Sequence, residues 1–196
     1  VEDAPDAFVI SRDELKKKIS ELFDAGGFSI LLQGGLHPSL SFDWYLELLT
    51  FMKSEFPKLH IHGFSPPEIF HFAEITGKKI PEVIAELKGA GLDSIPGGGA
   101  EILSDEIRKK VSPNKCGADE WIEVMRVAQK LEMKTSATMM FGHIETHRHI
   151  IDHLLKIRSL QDETGGVTAF IPWTFQPDNT GLAVEKATAV AYLRVL

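Results

Sequence analysis

The chain has 196 residues, a formal net charge of −7 at pH 7 and 43% hydrophobic side chains, enough to bury a core as one domain over residues 1–196. No basic run exceeds the length of Lys16-Lys17-Lys18, which argues against nucleic acid as a principal partner, because phosphate neutralisation needs clustered Lys and Arg. No apolar run approaches a membrane span, no leader pattern is visible, and one cysteine leaves no disulfide framework; no membrane partner and a reducing, cytoplasmic setting are expected.

In chain order, a helix is predicted from about Asp13 to Ala25, capped by Ser11 and stopped by Gly26-Gly27, with Leu15, Ile19, Leu22 and Phe23 at helical spacing. The segment Ser29 to Gln33 is apolar nearly throughout, as a strand buried on both faces would be, and it runs into Gly34-Gly35. A second helix follows Ser41, with Trp44, Leu48, Leu49 and Met52 on one face. Strand-like segments recur at Leu59 to Ser65, Leu92 to Gly99, Thr135 to His143 and Val167 to Trp173. Between them lie helical patterns at Pro67 to Thr76, Pro81 to Ala90, Glu101 to Lys110, 119–131 and 147–163. The last is read as burying Ile150, Ile151, Leu154, Leu155 and Ile157; a final helical pattern covers Glu185 to Leu196.

Strands alternating with helices every thirty to forty residues imply an α/β fold with parallel strands, a partial (β/α) TIM-type barrel. Five strands are fewer than the eight of a closed barrel, and the chain starts at Val1 and stops inside a helical pattern, so it reads as a fragment missing first and last strands. Ligands in such folds sit at the carboxyl ends of the strands, where the unusual residues here are gathered.

Gln33-Gly34-Gly35 offers backbone groups to a ligand, or forms an ordinary strand-to-helix turn. Gly97-Gly98-Gly99 exceeds what a turn requires; with Glu101 opening the next helix it reads as a seat for an anionic or carbonyl group. His60 and His62 alternate on one strand and project to one face, either as a metal-binding pair or as hydrogen-bonded residues of a polar interior. No third ligand stands at a suitable strand end, so no metal is assigned to them. Glu68 is a candidate general base or substrate grip that also suits a helix N-terminus. Cys116 precedes a helix whose dipole would lower its pKa, but a lone loop cysteine is read as inert. His71, His147, His149 and His153 read as solvated or packing residues.

Several segments, taken in order, resemble one group of radical S-adenosylmethionine enzymes, that of the futalosine-modifying enzymes of menaquinone biosynthesis and the deazaflavin-forming synthases. They are Leu32-Gln33-Gly34-Gly35-Leu36-His37-Pro38, His60-Ile61-His62-Gly63-Phe64-Ser65-Pro66-Pro67-Glu68 and Asp93 to Leu103 with its Pro-Gly-Gly-Gly-Ala-Glu core. Ala137 to Thr146 and Thr168 to Pro177, with its Ile-Pro-Trp-Thr-Phe-Gln core, complete the match over nearly the whole chain.

Within that group the chain most resembles the cyclic dehypoxanthine futalosine synthases. That resemblance implies reductive cleavage of S-adenosylmethionine, hydrogen abstraction from the substrate ribose and ring closure, with a four-iron four-sulfur cluster and a reductant such as flavodoxin or ferredoxin. The substrate would be a small nucleoside derivative. By the same resemblance Gln33, Gly34, Gly35, His62, Ser94, Ser136, Thr138, Gly142, Glu145 and Ile171 belong to the cofactor side. Glu68, Glu101 and His60 become candidates for catalysis on the substrate side. The group holds its cluster with a C-x-x-x-C-x-x-C loop, whereas this chain has only Cys116. Asp6-Ala7-Phe8-Val9-Ile10-Ser11 resembles the stretch just downstream of that loop, so the 196 residues alone are expected to be inactive. Deazaflavin-forming relatives tend to carry a Gly-Thr-Ala segment in place of the glycine run, and aminofutalosine-forming ones a Lys in place of His62. From other classes, a metal-dependent hydrolase using His60 and His62 and a non-catalytic α/β binding module remain open.

Overall fold

The structure, a computed structural model, describes residues 8–196. Five strands, β1 (Ser29–Leu32), β2 (His60–Gly63), β3 (Ser94–Ile95), β4 (Lys134–Phe141) and β5 (Val167–Thr174), form one parallel sheet in sequential order. Eight helices are interleaved among the described residues: α1 (Arg12–Asp24), α2 (Phe42–Glu55), α3 (Pro66–Thr76), α4 (Ile80–Ala90), α5 (Asp105–Val111), α6 (Ala118–Lys130), α7 (His147–Thr164) and α8 (Ala189–Val195). The sheet curls into part of a (β/α) barrel, as right-handed crossovers between sequential parallel strands require.

Parallel pairing aligns side chains across strands, so the register defines two faces. Ile61, Ile95, Ala137 and Met139 point outward and are fully buried against the helices, where Leu49, Met52, Ile84, Leu87 and Trp121 are buried as well. On the other face Leu31 pairs with His62, His62 with Ser94, Thr138 with Ile171 and Met140 with Trp173. This second set lines the concave lumen, which explains why an apolar strand such as β1 exposes Leu31 while Ile30 and Leu32 pack on the core.

Caps place most helix starts where the sequence expects them. Ser11 and Ser41 accept hydrogen bonds from the amides of Glu14 and Trp44. Gly77, Gly91 and Gly165 end α3, α4 and α7 in the left-handed conformation. The helix expected to start at Glu101 instead begins at Asp105: Glu101 has φ 42°, and Ile102 and Leu103 are both buried, which an exposed first helical turn does not allow. On α7, Ile151 and Leu155 face outward rather than inward, being 56% and 52% exposed. The final helix is shorter than its pattern, covering only Ala189–Val195. Where Gly117 lacks a capping side chain, Asp105 of the preceding helix accepts from the amide of Ala118 at 2.8 Å and Glu120 from that of Gly117 at 2.6 Å. No helix among the described residues is long and apolar enough to cross a membrane.

Candidate functional site

The lumen is polar at its centre. Oγ of Ser94 lies 2.9 Å from Nε2 of His60 and 2.7 Å from Nδ1 of His62, while Nε2 of His62 lies 3.4 Å from Oγ of Ser136. Alternation on β2 therefore does put both imidazoles on one face, but they converge on a serine hydroxyl. Burial, and then the neighbouring His60, push the His62 imidazole below its usual range. Among the described residues no three His, Cys, Asp or Glu side chains converge as a metal site.

Above this layer the loop 96–100 crosses the strand ends, and its backbone is gripped by side chains. The amide of Gly97 donates to Ser136 Oγ at 3.0 Å, and Thr138 Oγ1 donates to the Gly97 carbonyl. The Gly98 carbonyl accepts from the Trp121 indole at 3.1 Å, and Arg108 donates to the carbonyls of Gly99 at 3.0 Å and Ala100 at 2.6 Å. A Cβ at Gly97 would lie 2.5 Å from the Ala137 Cα, one at Gly98 2.7 Å from Gln33 Nε2, and one at Gly99 2.4 Å from Pro67 Cγ. Gly97 and Gly99 are thus required by close approach to the β4 backbone and to the Pro67 ring, whereas the contact at Gly98 is with the movable end of Gln33.

Glu68 ties the neighbouring loop to this one. Its Oε1 accepts from the Gly34 amide at 3.1 Å, and its Oε2 from the amide and hydroxyl of Ser65 at 2.8 and 2.6 Å. Burial raises its carboxyl above the ordinary range, against these donors and the Lys115 charge. Both oxygens are engaged with the scaffold, so Glu68 holds the Gln33–Gly35 turn in place instead of standing free as a base. A cavity of about 220 Å³ adjoins that turn, lined by Trp44, Tyr45, Phe64 and His37 as well as Glu68.

The remaining candidates divide. Ser94, Ser136, Thr138, Gln33 and the two histidines meet around the glycine loop; Ile171 and Trp173, each 49% exposed, continue the lumen face on β5. Phe170 lies on the opposite face, its ring 6.1 Å from that of His153. Glu101 pairs with Lys115 at 2.6 Å and does not open a helix. Glu145 turns back into its own loop, accepting from the amides of Gly142 at 2.6 Å and His143 at 2.9 Å. Its burial opposes ionisation, but the His143 side chain and these amides outweigh that and hold its carboxyl at about 2. A groove of about 660 Å³ lies elsewhere, among α5, α6 and α7; ion pairs such as Arg126–Glu163 and Lys156–Asp119 occupy its charged lining.

The Radical SAM superfamily matches residues 2–157. The chain belongs to that superfamily. It is 46% identical over 177 residues to the 5-amino-6-(D-ribitylamino)uracil–L-tyrosine 4-hydroxyphenyl transferase of Methanopyrus kandleri, covering 90% of this chain and 48% of that protein. It is 44% identical over 190 residues to the cyclic dehypoxanthine futalosine synthase of Halalkalibacterium halodurans, covering 96% and 51%. Aminodeoxyfutalosine synthase of Thermus thermophilus is 43% identical over 173 residues, covering 88% and 46%. The chain thus spans about half the length of the relatives it matches. Methylornithine synthase shares the fold, with a TM-score of 0.67 at 15% identity over 96% of this chain and 53% of its own.

Radical SAM enzymes use S-adenosylmethionine and a four-iron four-sulfur cluster. The donor set at the strand ends fits the first: the Gln33–Gly35 turn for an ammonium, the Thr138 hydroxyl as an acceptor for a ribose, and the open apolar faces of Ile171 and Trp173 for a base. The residues present do not fit the second, because cluster ligation takes three thiolates and Cys116 is the one cysteine of the chain. That thiol lies buried between α5 and α6, and burial pushes its pKa up to about 11, against the lowering expected from the following helix.

Three residues of the site escaped sequence reading. Arg108 stands in a Lys-Lys run that looks solvated, yet it is 2% exposed and also donates to the Cys116 carbonyl at 3.0 Å. Trp121 is legible as core but not as a donor to Gly98. His153, read as a packing or solvated residue, is wholly buried and accepts from the Leu103 amide at 3.1 Å, fixing the exit of the glycine loop. Only a polar residue on the apolar stripe of a helix hints at such roles.

Proposed function

We propose that this chain forms the cofactor- and substrate-binding part of a radical SAM enzyme that cyclises dehypoxanthine futalosine. The observation that carries the reading is the glycine loop: Gly97, Gly98 and Gly99 each stand where a Cβ would come within 2.7 Å of a neighbour. A Gly-Thr-Ala segment of the deazaflavin-forming type would press its third residue against the Pro67 ring, at a position where Gly99 also has φ 73°.

When bound beside a reduced cluster, S-adenosylmethionine supplies the power to abstract a hydrogen atom from carbon. The residues of this chain bind and orient. Gln33, Gly34 and Gly35 receive the amino-acid end of the cofactor, with Glu68 fixing the turn through the Gly34 amide. Ser136, Thr138 and Ile171 border its nucleoside, and Glu145 shapes the Gly142 turn beside them. His60 and Glu101 lie toward the substrate, with His62 and Ser94 beside the cofactor. A flavodoxin or ferredoxin would supply electrons.

The test is the protein extended at both ends to the length of these relatives, reconstituted anaerobically with iron and sulfide. Given dehypoxanthine futalosine alone it should form the cyclised nucleoside. Product formation only with 5-amino-6-(D-ribitylamino)uracil and tyrosine together would overturn the reading in favour of the transferase.

A further inference from the structure

We propose that Ser136, His62, Ser94 and His60 form a proton relay that carries a substrate proton from the strand-end site down the lumen to His60. The proposal rests on the reading above only for the identity of the substrate; the relay itself comes from the hydrogen-bond distances that join these four side chains.

A serine hydroxyl has one proton. Ser94 Oγ stands within hydrogen-bond distance of His60 Nε2 (2.9 Å) and His62 Nδ1 (2.7 Å), and in the relay it gives its one proton to one imidazole while accepting from the other. The tautomers of the two histidines are therefore linked. At the upper end Ser136 Oγ accepts from the Gly97 amide at 3.0 Å and, in the relay, gives its own proton to His62 Nε2 at 3.4 Å. His62 then carries its hydrogen on Nδ1 and donates to Ser94, and Ser94 donates to His60 Nε2. The chain runs from Ser136 on β4 to His62 on β2, over to Ser94 on β3 and back to His60 on β2. His60 stands opposite Ser29, the first residue of β1, whereas His62 stands opposite Leu31, so the relay also descends from the rim.

The transfer balances without any oxidant. A substrate X–H bond at the rim breaks heterolytically and its electron pair stays with the substrate. The released proton bonds to Ser136 Oγ as the Ser136 proton passes to His62 Nε2. The Nδ1 proton of His62 passes to Ser94 Oγ, and the Ser94 proton passes to His60 Nε2. His60 ends as an imidazolium, part-exposed and able to discharge to water; His62 and both serines end neutral with their hydrogens reversed.

The charged groups around the chain leave this path clear. Lys134, on the same face of β4, donates to the Gly165 carbonyl at 3.3 Å, and at the rim Glu68 and Lys115 are engaged with Ser65, Gly34 and Glu101. The facing positions of β1 and β5, Leu31, Ala169 and Ile171, do not titrate.

The experiment is long-range proton–nitrogen NMR of the chain labelled with 15N-histidine, which reads each tautomer directly. Above their titration, His60 and His62 should both carry hydrogen on Nδ1, and protonating one should shift the other. In Ser94→Ala, His60 should revert to the ordinary Nε2–H form and the two curves should become independent. Ser94→Cys, which keeps a weak donor, should fall between. Tautomers and curves left unchanged in both variants would overturn the relay. In the extended enzyme Ser94→Ala should lower turnover on the order of 100-fold with little change in KM. Linked tautomers in an enzyme whose product is not the cyclised nucleoside would sink the proposed function and leave the relay standing.

Discussion

His153 shows what one buried side chain does to the molecule's pH response. Burial holds its imidazole neutral, with a pKa lowered to about 3; Arg108 and Lys156 push the same way, and only the nearby Thr138 backbone opposes them. Its Nδ1 is committed to Leu103, while Nε2 finds no partner of hydrogen-bond geometry among the described residues. Because the unfolded chain protonates near 6.5 and the folded one does not, stability is full above that value and falls as the pH drops toward 3. Between pH 7 and pH 5 the loss from this group should be about 2 kcal/mol, read as a difference in denaturant unfolding between wild type and His153→Gln. Glu145 acts lower on the scale. Its carboxyl is held at about 2 against an ordinary 4.5, so its contribution is present above 4.5 and lost as the pH falls through 2. Glu145→Gln should remove that acid-limb slope, worth about 1–2 kcal/mol after solvent screening, in near-UV circular dichroism of acid unfolding. The adjacent glycines separate stability from function. Gly97→Ala drives a Cβ into the β4 backbone and should cost about 3 kcal/mol, whereas Gly98→Ala meets the movable end of Gln33 and comes within 3.3 Å of the Ser65 Cβ. The second variant should melt within a few degrees of wild type and yet bind S-adenosylmethionine more weakly, as calorimetric titration would show in the extended protein.

At the scale of elements, the glycine loop is held as much by helices as by strands. Trp121 of α6 and Arg108 of α5 each reach its carbonyls, and Asp105 of α5 in turn caps α6. Asp105→Ala should therefore destabilise by about 1 kcal/mol, the usual worth of an N-cap, measured by urea unfolding. Helix periodicity made α1, α2, α6 and α7 legible, because one buried stripe repeats over three or more turns. It misplaced the start of α5 because Ile102 and Leu103 serve two sides of a turn, which an amphipathic pattern cannot distinguish from a helix. It also counted Ile151 and Leu155 as core, since apolar character does not say which of two adjacent stripes meets a neighbour.

At the scale of the whole molecule, the sheet gathers the candidate polar and glycine groups at one rim but brings one thiol, and that thiol is buried. The 196-residue chain, reconstituted anaerobically with iron and sulfide, should form no 5′-deoxyadenosine from S-adenosylmethionine. Restoring a three-cysteine loop and the flanking chain should return both the brown cluster and that product. Formation of 5′-deoxyadenosine by the chain as it stands would show the cluster to be held in another way.

The sequence by itself determined the parallel alternating architecture, the rim at which Gln33-Gly34-Gly35 and Gly97-Gly98-Gly99 gather, and the shared face of His60 and His62. These come from local periodicity, turn chemistry and strand alternation, each of which spans only a few residues. Tertiary structure alone decided what each polar group is bonded to. Glu68 proved to be spent on Gly34 and Ser65, Glu145 on its own turn, and the two histidines on Ser94, 34 and 32 positions away. Burial strips a polar atom of water and obliges it to find a partner, and that partner is set by how distant strands are brought together.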